Sequence, residues 1–299
     1  FTNRIKDSVN LVNAFKQVQE YITYLTPEYI YIPYDNEMLL TLNKNKLVYH
    51  NMSLGTNNDG SEIFSPVSGK IIGIKEMEFN NKKSNTLVIM NDYKDKREKL
   101  NPSRNINKVK KSDIVASLQK YNLNKKINSK TTLVVNSLYN KNYDLKDMVI
   151  NYESYEGILE AIDEFMSIFN MKNCYICIPK TDLYSTCAYE KYINAFMNIC
   201  LVHSNSKFKD STCVFYSIEE ILAIHKAIHL DYMYDNTIIT INNGKSTIVK
   251  VKLYTSLYEV LKALRIAYKG KKILVNNKKI NEIKDFVIDS SIRSVIIKD

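Results

Sequence analysis

Five cysteines and four histidines are the residues whose chemistry could be most specific, and most of them cluster between residues 174 and 229. Cys174 and Cys177 form a CxxC pair. Zinc and redox sites place that motif at a turn or a helix start. Here it falls inside an apolar run, Cys174-Tyr175-Ile176-Cys177-Ile178, that reads as a buried strand. Residues i and i+3 of a strand point to opposite faces, so these thiols are expected in the core. His225 and His229 are spaced i, i+4, which suits a metal on one helix face. Cys200, His203 and Cys213 are the nearest further candidates. Lys226 stands where the glutamate of an HExxH motif would be, so the two histidines read as ordinary helix-surface residues and no metal is expected. Lys70 follows Gly69 at the start of a strand, not at a hairpin tip, which excludes a covalently carried swinging arm.

The elements that would position these residues can be read from periodicity. Ile5, Val9, Val12, Phe15, Val18, Ile22 and Leu25 mark one face of a helix that Pro27 ends. From Tyr29 to Met90 the pattern becomes short strands, including Tyr29–Ile32, Met38–Leu42, Leu47–Tyr49, Lys70–Ile74 and Leu87–Met90, with Gly, Asn and Pro between them. A closed β domain over residues 29–90, with Ser65–Gly69 at a tight turn, follows. Residues 93–111 are charged and lack an apolar anchor, as in a linker.

From residue 112 strands and helices alternate. Helices are expected near Ser112–Tyr121, Glu153–Phe169, Tyr189–Ile199 and Ser217–Leu230. Strands are expected at Thr132–Val135, Cys174–Ile178, Cys200–Val202 and Cys213–Tyr216. That alternation implies a mostly parallel sheet covered by helices. The last segment, with strands Thr237–Ile241 and Thr247–Leu253, a helix Ser256–Ala267 and strands near Lys272–Val275 and Ser294–Ile297, has the pattern of a ubiquitin-like β-grasp.

The 299 residues suffice for two or three domains. The net charge of +10 comes largely from lysines alternating with asparagine, as in Asn43-Lys44-Asn45-Lys46, and describes a solvated surface. The 22 tyrosines lie beside apolar residues and no nucleic-acid motif accompanies them, so no nucleic-acid partner is expected. No apolar run approaches the ~18 residues of a membrane span. Arg4, Lys6, Asp7, Lys16 and Glu20 break the apolar centre a signal peptide needs. With the odd number of cysteines, this favours a reducing cytoplasm and free thiols.

The order of units resembles the core of the RnfC family, the C subunit of the Rnf electron-transport complex, and of related reductase-coupling proteins. Ser61–Ile74 (SEIFSPVSGKIIGI) resembles the turn of the family's barrel-sandwich domain. Asn45–Gly55 resembles its hairpin, and Leu87–Asp92 its exit strand. Thr132–Asn136 with Tyr143 and Asp147 is similar to the family's acidic cofactor loop, and Val214–Ile228 to the helix near it. Thr237–Leu264 is similar to the SLBB β-grasp domain. The resemblance implies an α/β and β multidomain fold. Its parts would be an N-terminal helix (1–26), a barrel-sandwich domain (27–92), a linker (93–111), a Rossmann-like α/β domain (112–236) and an SLBB domain (237–299).

The resemblance also implies FMN and NADH as ligands, other electron-transfer proteins or subunits as partners, and a place in the cytoplasm or at the cytoplasmic face of a membrane complex. Its cofactor-binding positions map to Asn136, Lys141, Tyr143, Lys125 and Lys126. The sequence departs from the family at each loop that should hold phosphate. Val115–Lys126 replaces a glycine-rich loop without a single glycine. Lys141 and Asn142 stand where Glu and Pro are expected, and Asn276-Asn277 replaces a glycine pair. The CxxCxxCxxxCP runs that bind iron–sulfur clusters are absent from this sequence. These departures lead to the expectation that FMN and NADH bind weakly or not at all. Three roles follow: an electron-transfer subunit of the Rnf type that still uses a flavin through altered contacts, a cofactor-free scaffold or docking module, or a binding protein whose SLBB or barrel domain takes a small ligand or glycan.

Overall fold

A computed structural model describes residues 21–34, 44–79, 82–97, 109–125, 127, 130–138, 144–203, 211–280 and 282–298. The chain is a mixed α/β protein of two compact units. One is built from residues 21–100 together with 235–299, and the other from residues 101–234.

The first unit opens with seven strands: β1 (Ile22–Tyr24), β2 (Tyr29–Pro33), β3 (Leu47–Val48), β4 (Ser53–Thr56), β5 (Glu62–Phe64), β6 (Gly69–Phe79) and β7 (Lys82–Asn91). The α/β unit follows with α1 (Lys111–Lys120), β8 (Thr132–Asn136), α2 (Lys146–Phe169), β9 (Asn173–Ile178), α3 (Leu183–Glu190), β10 (Ile199–His203), β11 (Cys213–Ser217) and α4 (Ile218–Leu230). The chain then returns to the first unit through β12 (Asn236–Asn242), β13 (Ser246–Lys252), β14 (Thr255–Ser256), α5 (Leu257–Ala263), β15 (Lys272–Val275), β16 (Lys278–Lys279), β17 (Val287–Ile288) and β18 (Ser294–Lys298).

One sheet of the first unit runs β1-β13-β12-β18-β15-β16. The five strands from β13 to β16 have the β-grasp order, with β12 and β18 parallel at the centre and hairpins on either side. Alternating apolar residues such as Ile239, Ile241, Val249, Val251 and Val295 fill its core, and Leu257, Val260 and Leu261 of α5 join the same cluster. The helix expected over residues 5–25 is corrected at its end. Ile22–Tyr24 is a strand that adds in parallel to the edge of β13, where β-branched and aromatic residues fit a pleated surface. The rest of that expected helix, through residue 20, lies outside the described residues.

A second sheet runs β17-β14-β2-β7-β6-β3, with the β4–β5 hairpin beside it. No helix interrupts residues 60–75, and Ser65–Gly69 turns sharply between β5 and β6. Gly69 is required because a Cβ there would collide with the backbone carbonyl of Met90 on the paired strand. The domains expected at 27–92 and 237–299 share this sheet, since β14 pairs with both β2 and β17. Among the described residues it is an open series from β17 to β3. The strand expected at Met38–Leu42 lies outside the described residues.

Residues 93–97 are also not the unanchored linker expected. His50 is buried and lies between Asp95 (Nδ1 to Oδ1, 2.5 Å) and Asp235 (Nε2 to Oδ2, 2.9 Å), and Asp235 is also paired with Lys252. The Lys96 carbonyl accepts from the His50 amide at 2.9 Å. Polar contacts around one buried imidazole replace the apolar anchor that the sequence lacks.

Among the described residues the α/β unit has four parallel strands in the order β10-β9-β8-β11. The chain steps outward from β8 to β9 to β10, then crosses back to lay β11 on the other side of β8. Helix α2 starts seven residues earlier than expected and contains a break at Ser154 (φ −134°). The helix expected at Tyr189–Ile199 is corrected to α3 and a single 3-10 turn at Ile193–Ala195, after which Asn198 takes a left-handed φ of 62° before β10. Among the described residues no helix is long and apolar enough to cross a membrane.

Candidate functional site

In an open parallel sheet, ligands bind beyond the carboxyl ends of the strands, at the point where the strand order reverses. Here that point lies between β8 and β11. Asn136 and Ser217 are cross-strand partners there, each the last residue of its strand. Of the five residues assigned to the cofactor from the sequence, Asn136 and Lys125 reach this end of the sheet. Lys126, Lys141 and Tyr143 lie outside the described residues.

Asn136 and Lys125 are both engaged by neighbouring groups of the unit. The Asn136 carboxamide oxygen accepts from the Leu138 amide at 3.0 Å, closing a local turn. The Lys125 ammonium donates to the Phe215 carbonyl at 2.8 Å, sits 2.7 Å from a Glu220 carboxylate oxygen, and lies over the Tyr216 ring at 4.4 Å. Tyr216 itself donates to the Leu123 carbonyl, and burial pushes its phenol up to about 12.

Beside them the amino end of α4 is closed by its own side chains. Ser217 accepts from the Glu220 amide at 3.2 Å, and Glu220 accepts from the Ser217 amide at 2.7 Å, a complete capping box. Glu219, also in the first turn, meets the Lys146 ammonium at 2.6 Å. Lys146 is 1% exposed, so this ion pair is sealed from water. Sequence reasoning missed Lys146 and Glu219. The signal was the ionic pair of positions Lys146-Asp147 at the start of a helix whose other residues pack inward.

The same end of β8 carries a buried polar chain. Asn151 donates to Ser137 (2.8 Å) and Ser185 (3.2 Å) and accepts from Tyr189 (2.8 Å), and Ser185 donates to Asp182 (2.5 Å). Asp182 also caps α3 through the Ser185 amide. The chain ties α2 and α3 to the sheet.

The two glycine-poor loops take definite forms. Val115–Lys120, where a phosphate loop was sought, is the second half of α1. Its amides are spent inside the helix, and the following turn uses the Tyr121 amide to Ser117 and the Leu123 amide to Leu118. This is a helix carboxyl end, whose partial negative charge repels anions. Asn276 and Asn277 form the two-residue turn of the β15–β16 hairpin, with φ of 47° and 69°. Asparagine tolerates that left-handed region, so it replaces glycine without loss of the turn. The Asn276 side chain then accepts from the Arg293 and Ser294 amides and donates to the Ser291 carbonyl.

The thiols of Cys174 and Cys177 are buried, and burial raises both, Cys177 to about 11. Cys200 and His203 lie on β10 and Cys213 on β11, at opposite edges of the sheet, so they do not converge. His225 and His229 face α2 rather than open solvent.

No family model matches the chain. No curated protein matches it. Among solved structures, an NAD+-reducing [NiFe]-hydrogenase in its H2-reduced state aligns with 67% of this chain and 49% of its own, at 10% identity and a TM-score of 0.45. The air-oxidized state of an NAD+-reducing [NiFe]-hydrogenase aligns with 57% of this chain and 41% of its own, again at 10% identity and a TM-score of 0.45. The chain thus spans at most about half the length of the hydrogenase chains it is similar to.

Proposed function

We propose that this chain is an RnfC-like core that has kept the architecture of an electron-transfer subunit and lost its grip on flavin and nucleotide, and that it works as a cofactor-free docking module among electron-transfer proteins. The observation that carries this reading is the amino end of α4. A bound phosphate needs free helix amides and a positive field. Here the Ser217 and Glu220 amides are taken, and two carboxylates occupy the first turn. The order of sequence resemblances along the chain supports the electron-transfer setting. The electrons themselves would be carried by partners.

A docking role is supported by the outer face of the second sheet. Leu47, Lys70, Met90 and Tyr29 form one cross-strand row on β3, β6, β7 and β2. Leu47 is 65% exposed and Met90 40%. An apolar row with one central cation is suited to a protein surface carrying an acidic rim.

Isothermal titration of the whole chain with FMN and with NADH tests the reading. No saturation is expected up to roughly 1 mM ligand. A dissociation constant of about 10 μM or tighter, weakened by Asn136→Ala or Lys125→Ala, would restore the flavin-binding reading instead.

A further inference from the structure

Helices α2 and α4 of the α/β unit run side by side in the same direction. Each turns a pair of metal-ligating side chains toward the other. Glu160 and Glu164 are spaced i, i+4 on α2, and His225 and His229 are spaced i, i+4 on α4. The pairs meet in register. His225 Nε2 is 3.4 Å from Glu160 Oε2, and His229 Nε2 is 3.1 Å from Glu164 Oε2. One ligand atom from each of Glu160, His225 and His229 lies within 4.8 Å of the other two.

Gly157, one turn before Glu160, lies under the His225 ring, where a Cβ would make an ordinary contact 3.4 Å from the Cε1 atom.

The 3.4 Å between His225 Nε2 and Glu160 Oε2 matches one edge of a coordination tetrahedron. Zinc–nitrogen and zinc–oxygen bonds of about 2.0–2.1 Å place neighbouring ligand atoms about 3.3 Å apart. The two imidazole centroids are 4.3 Å apart. One divalent ion would accept both imidazoles in their neutral form together with the Glu160 carboxylate. The site is half-buried, with Glu160 56% exposed, so an ion can enter.

We propose that Glu160, His225 and His229 bind one zinc-type divalent ion that staples α2 to α4. Two nitrogen donors and one carboxylate favour a late first-row metal over calcium or magnesium, which prefer oxygen alone. No cysteine takes part. The assignment revises the reading of His225 and His229 as plain surface residues. It is independent of whether flavin binds.

The test is zinc titration of the whole chain carrying Cys187→Ser and Cys200→Ser, which removes the two exposed thiols as adventitious ligands. Binding of one zinc per chain at about 1 μM or tighter is expected. It should be lost in the His225→Ala/His229→Ala pair and weakened at least about tenfold in Glu160→Gln. Zinc should raise the melting temperature of the parent and not of the histidine variant. Should that variant fail to fold, cobalt(II) bound to the parent decides. Intense visible bands of a tetrahedral ion without thiolate charge-transfer absorption support the site. Thiolate absorption, no saturation below about 100 μM zinc, or zinc binding that survives loss of both histidines would overturn it.

Discussion

Lys146 and Glu219 hold opposite full charges where almost no water reaches them. Breaking one side of such a pair strands the other, which typically costs about 3–5 kcal/mol, whereas replacing both by apolar residues is often neutral. Lys146→Met is therefore expected to lower the unfolding free energy by about that amount in urea denaturation, and Lys146→Met/Glu219→Leu to recover most of it. A double variant as unstable as the single one would show that the pair's partners, not its charges, matter. At this scale the sequence was legible where one residue type has one physical use. Gly69 is such a case, since the close approach to Met90 admits no Cβ. The buried thiols of Cys174 and Cys177 are another, set by their place in an apolar strand. Glu160 and Glu164 were not legible, because their meaning comes from a helix 65 residues further along the chain.

Strand β1 shows what periodicity misses at the scale of elements. Ile22 and Leu25 continue a run of apolar spacings that a helix would also produce, yet the free edge of β13 claims Ile22–Tyr24. Such an edge is invisible until the sheet exists. The strand is fastened by Glu259 at the start of α5, which accepts from the Tyr24 hydroxyl at 3.0 Å and from the Glu28 amide. Burial raises the Glu259 carboxyl above its usual range, against the hydrogen bonds from Glu28, Tyr24 and Tyr29 that lower it. An acid whose folded value is raised holds its proton more tightly folded than unfolded. Its effect is to make stability fall as pH rises from the unfolded value, about 4.5, through the higher folded value. Glu259→Gln keeps an acceptor oxygen and removes the titration. The variant is expected to flatten stability against pH in that mildly acidic window and to be at least as stable at pH 7. A profile parallel to the parent's would assign the slope to other groups. The loop at Val115–Lys126 gives the complementary lesson. Its lack of glycine was legible, and so was the helix near Ser112–Tyr121 that takes up its first half.

At the scale of the whole molecule, the fold class was legible because strand and helix periods alternate cleanly along the chain. The grouping of segments was not. Short strands β14 and β17 carry two residues each, too few to read, and yet they join the last 65 residues to the sheet of the first hundred. Each unit therefore has a different dependence on the rest of the chain. A fragment of residues 101–234 holds every strand of its own sheet and is expected to fold alone, with slow amide exchange in β8 and β9. A fragment of residues 21–100 lacks β14 and β17 and is expected to remain unfolded until residues 235–299 are added in trans. Cooperative unfolding of the isolated 21–100 fragment would contradict this.

The shared sheet also sets a schedule on the ribosome. Strands β2 to β7 emerge early, but β14 and β17, their neighbours in the finished sheet, are encoded near the far end. At roughly 5–20 residues per second, the first strands must wait on the order of 10–40 s for them. During that interval Ile30, Ile32, Leu87 and Ile89 can already pack against Val48, Leu54, Val67 and Ile71, but the edge of β2 that β14 covers stands open. A holding chaperone is expected to engage that edge between the synthesis of residue 100 and that of residue 256, which crosslinking of stalled nascent chains checks.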